Sequence, residues 1–399
     1  MKILYVVNNA AFFHSHRLPI ALAAREQGHQ IVLLTGRAGS ETMEAAARAE
    51  LRRQHIPHET ARFGSGGTSL MGEVAGWLDV LRIMRRVRPD LVHCASPKGV
   101  LYGGLAARLL RVPALVLSIS GMGSLFTGQR GPKSWARMPY LALLRSVLAH
   151  PCCRVVVQNG DDRAQLLHAG MARDEQLLLV PGSGAPVEDL ATLALQGREP
   201  LVVLPARLLR DKGVVEFVEA ARRLRGRGWR FALVGTADYD NPTSLGEAQV
   251  RAWVDEGAVE WWGHRRDMRE VYARTRIVCL PSYREGMPKV LLEAAAAGCA
   301  VVTTDTIGCR EAIAPGRTGE LVPVGDAKAL ADALRGLMDD PGRVQAFGEA
   351  GRALARERFD LRVVVGTTVD LYHTLHRASR ATASDAAAPG AGANTGRVP

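Results

Sequence analysis

Ile277-Val278-Cys279-Leu280-Pro281-Ser282-Tyr283-Arg284-Glu285-Gly286-Met287-Pro288-Lys289-Val290-Leu291-Leu292-Glu293-Ala294 reads as strand, loop and helix. The apolar run at its start is a buried strand. Pro281 ends that strand, Gly286 permits a tight turn, and Pro288 stands where proline is favoured, at the first helical position. Apolar residues carry the helix to Ala297, and Gly298 suits the position just past its end. Such a unit offers free backbone N–H groups at a helix N-terminus, a site for anions and above all for phosphates. Glu285 and Glu293 flank it. Carboxylates repel phosphate and accept hydrogen bonds from hydroxyls. The pair therefore suits hydroxyl groups at the two ends of a diphosphate ligand, which is the chemistry of a nucleotide sugar. A plainer reading stands beside it: Glu293 pairs with Lys289 on an exposed helix face, and Glu285 is an ordinary loop charge.

Outward from this stretch, strand and helix alternate along the 399 residues. Residues 3–7 and 30–35 read as strands around a helix over 14–28, the start of a parallel α/β sheet. Further strands are expected at 90–94, 114–119, 154–158 and 176–180. Gly182, Gly184 and two prolines then break the pattern, and a polar run ends at Pro200. A second sheet restarts at 201–204 and continues through 231–234, 259–262, 277–280, 300–304 and 320–322. The expected fold class is α/β, with a first domain over 1–188, a linker over 189–200 and a second domain over 201–359. A helix over 360–380 and an Ala-, Gly-, Ser- and Pro-rich tail over 381–399, too poor in apolar residues to order itself, complete the chain.

A net charge of +11 favours a polyanionic partner: nucleic acid, anionic lipid headgroups or a diphosphate-bearing substrate. Arg82, Arg85, Arg86 and Arg88, then Arg130, Lys133, Arg137 and Arg145, are interleaved with Trp135, Met138, Tyr140 and Leu141. That mixture suits a membrane surface, and equally a solvated helix face. No nucleic-acid-binding motif accompanies the charge, so nucleic acid is not an expected partner. The six cysteines form no C-x-x-C pair and fit buried thiols in a reducing cytosol. The first residues turn polar too soon for a signal peptide, and no run approaches the roughly 20 apolar residues of a membrane span. The expected location is the cytoplasm, at the inner face of the plasma membrane.

Arg207 and Lys212 lie on the loop that follows the first strand of the second domain, where α/β sheets gather ligands. With Gly213 beside them they suit a diphosphate: Arg offers a planar fork and Lys a point charge. Taken alone they also read as surface cations of a basic protein. The loop over 8–13 lacks the Gly-rich dinucleotide fingerprint, which disfavours a dehydrogenase.

The Glu285 and Glu293 spacing, with Glu285-Gly286-Met287-Pro288, resembles the E-x7-E and E-G-[FM]-P text of retaining glycosyltransferase family 4. Ala206-Arg207-Leu208 with Lys212-Gly213 resembles that family's [GA]-R-L-x3-K-G text. The resemblance covers nearly the whole chain before the tail. It implies the GT-B fold, two Rossmann-like domains with parallel sheets facing across a cleft, the last helix crossing back to the first domain. It implies that Arg207 and Lys212 bind the donor diphosphate, that Glu293 takes the ribose hydroxyls and that Glu285 lies near the donor sugar. Gly286, Met287, Pro288 and Lys289 would complete the donor cradle, Gly235 would join it, and His264-Arg265-Arg266 would meet the base. Arg207, Lys212 and Glu285 are the candidates for the chemistry. The donor is expected to be a uridine diphosphate (UDP) sugar and the outcome retention. No metal and no cofactor are expected, since the cations take the ion's role.

His16-Arg17-Leu18-Pro19, Ser96-Pro97-Lys98 with Tyr102-Gly103-Gly104, the segment from Gly235 to Asn241-Pro242, and Gly308-Cys309-Arg310-Glu311-Ala312 are similar to a narrower subgroup. Its members extend undecaprenyl-diphosphate-linked glycans, N-acetylgalactosaminyl transfer and capsule or O-antigen assembly among them. The implied acceptor is a lipid-diphosphate-linked saccharide, with Asn9, Phe12, Arg17, Lys98, Ser120 and Gly121 as acceptor-side candidates. Three departures stand out. Ala10-Ala11 replaces a common Gly-Gly pair, Ser118 and Ser120 stand near where many members have a His, and Gly182-Ser183-Gly184-Ala185 replaces Asn-Gly-Val-Asp. An epimerase on the same fold and a non-catalytic nucleotide- or carbohydrate-binding protein are the rival readings.

Overall fold

The computed structural model describes residues 1–37, 41–64, 70–119, 137–238 and 241–387. The first sheet has seven strands: β1 (Lys2–Val7), β2 (Gln30–Arg37), β3 (His58–Gly64), β4 (Leu91–Ala95), β5 (Ala114–Ile119), β6 (Cys153–Val157) and β7 (Leu177–Leu179), in the order β3-β2-β1-β4-β5-β6-β7. The second has six: β8 (Leu201–Pro205), β9 (Arg230–Val234), β10 (Glu260–Trp261), β11 (Ile277–Leu280), β12 (Ala300–Thr304) and β13 (Gly319–Val322), in the order β10-β9-β8-β11-β12-β13. Adjacent strands pair in parallel in both sheets. Helices cover both faces, which is why β4, β5, β8, β11 and β12 are buried along their whole length and read as apolar runs rather than as alternation.

Several elements differ from the sequence reading. The helix expected over 14–28 is two helices, Ala10–His16 and Leu18–Glu26. Pro19 cannot continue a helix from the preceding turn, so the chain breaks at Arg17 and restarts. Pro288 is the N-cap of helix Lys289–Ala297 and not its first residue: its ψ of 113° is extended, and its carbonyl accepts from the Leu291 N–H at 2.9 Å. The polar run before Pro200 is anchored. Arg198 is buried, and its guanidinium donates to the carbonyls of Ala297 (2.6 Å) and Gly298 (3.1 Å), satisfying the C-terminal end of that same helix. The last helix, Leu361–Ala387, runs on past residue 380. It lays Val364, Val369, Tyr372 and Leu375 into the core on one face of the first sheet, so the end of the chain crosses back to the first domain.

Candidate active site

In the second sheet the chain winds one way from β8 through β9 to β10 and the other way from β11 through β12 to β13. A crevice opens beyond the C-terminal ends of β8 and β11, where the order reverses. The loop after β8 brings Arg207 and Lys212 there, and the loop after β11 brings Glu285. Gly213 has φ +70°, and a Cβ on it would stand 2.1 Å from the Pro281 carbonyl oxygen, so the two loops close on one another only around glycine. The Ser282 hydroxyl and the Tyr283 N–H both donate to the Asp211 carbonyl, at 3.0 and 2.9 Å. This sets the Lys212 Nζ on Glu285 Oε1 as an ion pair whose side chains are only 20% and 12% exposed. Arg207, half exposed, donates to Asp238 Oδ2 at 2.5 Å.

Helix Lys289–Ala297 points its N-terminus at this pair, and no side chain caps it. Inside its second turn Glu293 is held from two sides. Tyr272 donates its hydroxyl to Glu293 Oε2 at 3.0 Å, and Lys289 Nζ lies 3.3 Å from Oε1. The Lys289–Glu293 pair of the plainer reading thus forms, but on the wall of the cleft, with Glu293 13% exposed. Burial, reinforced by the Glu293 carboxylate, pushes the Tyr272 hydroxyl well above its ordinary pKa, so it stays a donor.

The first domain supplies the opposite wall with Phe12, Ser15, His16 and Gln158. Asn9 caps helix Ala10–His16 by accepting from the Phe12 N–H at 2.7 Å. His16 stacks on Phe12 with ring centroids 4.6 Å apart. Its Nδ1 faces the Phe12 carbonyl at 3.3 Å. A carbonyl only accepts, so Nδ1 carries the proton and Nε2 is left as an acceptor. Burial, then the Arg17 and Lys289 cations, pull its pKa down to about 3, and the ring is neutral at neutral pH. Arg17 itself is buried behind this wall, facing Tyr5 and Tyr372. The N–H groups of Ala10 and Ala11 are already taken by the buried Glu44 carboxylate, at 3.2 and 2.8 Å. The turn that is Gly-Gly in many family members is here filled from within. Lys98 is likewise occupied, 2.7 Å from Glu73, which also accepts from Tyr102.

Between the walls lies a cleft of about 830 Å³. It gathers Arg207, Lys212, Glu285, Gly286, Met287, Pro288, Lys289, Glu293 and Phe12 of the sequence candidates. Gly235 stands outside it: at φ +151° its Cα presses on the Ala206 carbonyl, where a Cβ would lie 1.9 Å away, and it packs the ends of β8 and β9. His264 and Arg265 stand outside as well, exposed, with Arg265 over the Trp262 ring. The chain turns at Gly263 (φ +66°), and Arg266 is the residue of that trio lining the cleft. Ser120 and Gly121, with Arg130, Lys133 and Trp135, lie outside the described residues. Tyr272, His16 and Arg284 were given no role in the site by the sequence, whereas Arg266 was expected there with its two neighbours. Arg266 and Arg284 form no ion pair among the described residues, which leaves them available to an anion. Among the described residues no group of three or more His, Cys, Asp or Glu side chains is placed to hold a metal ion, and no helix is long and apolar enough to cross a membrane.

Two doubly wound parallel domains, with a cationic helix-terminus site on one and an aromatic wall on the other, define an enzyme of the GT-B class, a glycosyltransferase. The family description "Glycosyl transferases group 1" matches residues 199–340, and "Glycosyl transferase 4-like" matches residues 2–148. A glycogen synthase of Mycobacterium tuberculosis is 31% identical over 403 aligned positions, 92% of this chain and 91% of that one. The chain belongs to this group 1, 4-like family of glycosyltransferases. It is similar also to the N,N'-diacetylbacillosaminyl-diphospho-undecaprenol alpha-1,3-N-acetylgalactosaminyltransferase of Campylobacter jejuni, 23% identical over 353 residues, 85% of this chain and 90% of the relative. In fold it is similar to Anabaena HepE, solved in complex with UDP, with a TM-score of 0.72 and 20% identity over 94% of this chain and all of that one.

Proposed function

We propose that the chain transfers a hexose or N-acetylhexosamine from a UDP-sugar to a lipid-diphosphate-linked saccharide, with retention and without a metal ion. One observation carries this: Arg207, Lys212, Glu285, Glu293 and an uncapped helix N-terminus meet in one cleft that the first domain covers with Phe12 and His16. The UDP complexes of HepE support the nucleotide, and the undecaprenyl-linked substrate in the Campylobacter relative's name supports the acceptor. In this reading the anomeric C–O bond breaks and its electron pair goes to the departing β-phosphate oxygen. Arg207, Lys212 and the helix N-terminus stabilise that charge, and Glu293 holds the ribose. The acceptor hydroxyl attacks from the same face and gives its proton to the departing phosphate. Preorganised donors of this kind contribute about 3–4 kcal/mol each. Met71, Val74, Met138 and Leu143 are exposed on helices Leu70–Val87 and Arg137–Leu148. Together with Arg82, Arg85 and Arg145 they fit an anionic membrane surface on which a lipid acceptor would be met.

Calorimetry with UDP, guanosine diphosphate and adenosine diphosphate, each with EDTA, tests the site. UDP should bind in EDTA and bind well over tenfold more weakly in Glu293→Ala, and Lys212→Ala should cut UDP release from the accepted UDP-sugar by about 100- to 1,000-fold. Binding of no nucleotide, or full activity in both variants, would overturn the assignment. UDP-sugar interconversion without any acceptor would favour the epimerase.

A further inference from the structure

Gly286 is the least constrained link in the candidate donor loop, since glycine has wide backbone freedom. Its carbonyl is nevertheless gripped from two sides. Asn159, fully buried in the first domain, accepts from the Asp162 N–H with Oδ1 at 2.7 Å and so caps helix Gly160–His168. With Nδ2 it donates to Asp162 Oδ2 at 2.9 Å and, across the cleft, to the Gly286 carbonyl, also at 2.9 Å. On the far side of that carbonyl is Gly308 (φ +73°), where a Cβ would stand 2.2 Å from the Gly286 oxygen. The turn that begins at Gly308 returns the contact: Glu311 Oε1 accepts from the Gly160 N–H at 2.8 Å.

We propose that Asn159 is a positioning residue. With Glu311 it forms a two-point clamp that locks the Gly286 peptide only while the two domains are together, and so holds Glu285 for transfer only in that arrangement. The peptide is planar, so holding its oxygen fixes the direction of the Met287 N–H as well. Lys212 holds the Glu285 carboxylate from within the second domain, and Asn159 holds the next residue's backbone from the other domain. The nucleotide contacts proposed above belong to the second domain alone. The clamp should therefore act on turnover and not on nucleotide affinity. This inference rests on the cleft being a sugar-donor site.

Asn159→Ser is the clean probe, because serine caps a helix as well as asparagine and cannot reach Gly286. Glu311→Ala removes the second point without touching a buried residue. In full-length protein, amide hydrogen exchange over 284–290 should speed up about tenfold in either variant, the weight of one hydrogen bond, with 277–280 unchanged. UDP release from UDP-glucose or UDP-N-acetylgalactosamine, whichever the wild type accepts, should fall at least about tenfold while the UDP dissociation constant stays within about twofold. Unchanged exchange in both variants would refute the clamp. Equal losses of UDP affinity and turnover would refute the positioning role, since they would place Asn159 in the general integrity of the fold. If the wild type binds no UDP, the donor-site reading fails and the positioning role falls with it, and the exchange data alone then decide whether the loop is clamped.

Discussion

Tyr272→Phe removes one oxygen and leaves the ring in its buried place among Leu280, Leu291 and Ala295. What is lost is the 3.0 Å hydrogen bond to Glu293 Oε2, along with a longer 3.4 Å contact to the Val290 carbonyl. A hydrogen bond to a charged group contributes about 1.5–3 kcal/mol. Lys289, 3.3 Å from the other oxygen, remains to hold the carboxylate, so the loss should fall at the lower end. The expected effect is a UDP dissociation constant raised about tenfold, since about 1.4 kcal/mol is a factor of ten. Glu293→Ala should cost more, because it removes the group proposed to hold the ribose. The decisive assay is a double-mutant cycle by calorimetry. In the Glu293→Ala background Tyr272→Phe should have no further effect on UDP binding, because the hydroxyl acts only through that carboxylate. Additive losses would show that Tyr272 reaches the nucleotide by another route and would refute the reasoning.

Two further predictions concern stability. Gly213→Ala places a Cβ 2.1 Å from a backbone oxygen at φ +70°, whereas Gly28→Ala, at φ +85°, meets nothing within 4 Å. Thermal or urea unfolding should show about 1 kcal/mol lost at Gly28, the cost of the left-handed conformation, and at least about 2 kcal/mol more at Gly213, with transfer lost as the two loops splay. His16→Gln should improve the protein's tolerance of acid. The His16 pKa is lowered from 6.5 to about 3, first by burial, so below pH 6.5 the unfolded chain binds a proton that the folded chain refuses. Wild-type stability should fall, relative to the variant, at up to about 1.4 kcal/mol per pH unit between pH 6.5 and 3, and the two should run in parallel above pH 7. Parallel curves throughout would mean that His16 is protonated freely in the cleft.

What the sequence shows about this site follows the range of the forces involved. Pro281, Gly286 and Gly298 act on their own backbones, so the strand, turn and helix around Glu285 can be read from one stretch, and the apolar runs announce strands because both sheet faces are covered. Sheet order cannot be read this way: nothing in the text near residue 204 or residue 280 says that β8 and β11 lie side by side, yet that adjacency is what places Lys212 on Glu285. The same limit hides Tyr272 and Asn159. Each sits in an ordinary-looking segment and matters only because a distant carboxylate or carbonyl arrives beside it. Arg198 shows the converse, a charge in a polar run that reads as linker but is buried because four backbone carbonyls, at Ala194, Thr275, Ala297 and Gly298, converge on it. Gly235, His264 and Arg265 were placed by likeness of motif; in the structure Gly235 packs against the Ala206 carbonyl, His264 and Arg265 are exposed outside the cleft, and Arg266 is the one of that trio lining it. A cation there without an ion-pair partner among the described residues is better suited to an incoming anion than Arg207, which must first give up Asp238. Arg266 is therefore expected to take part in nucleotide binding, and its removal should weaken UDP affinity more steeply at low salt than at high.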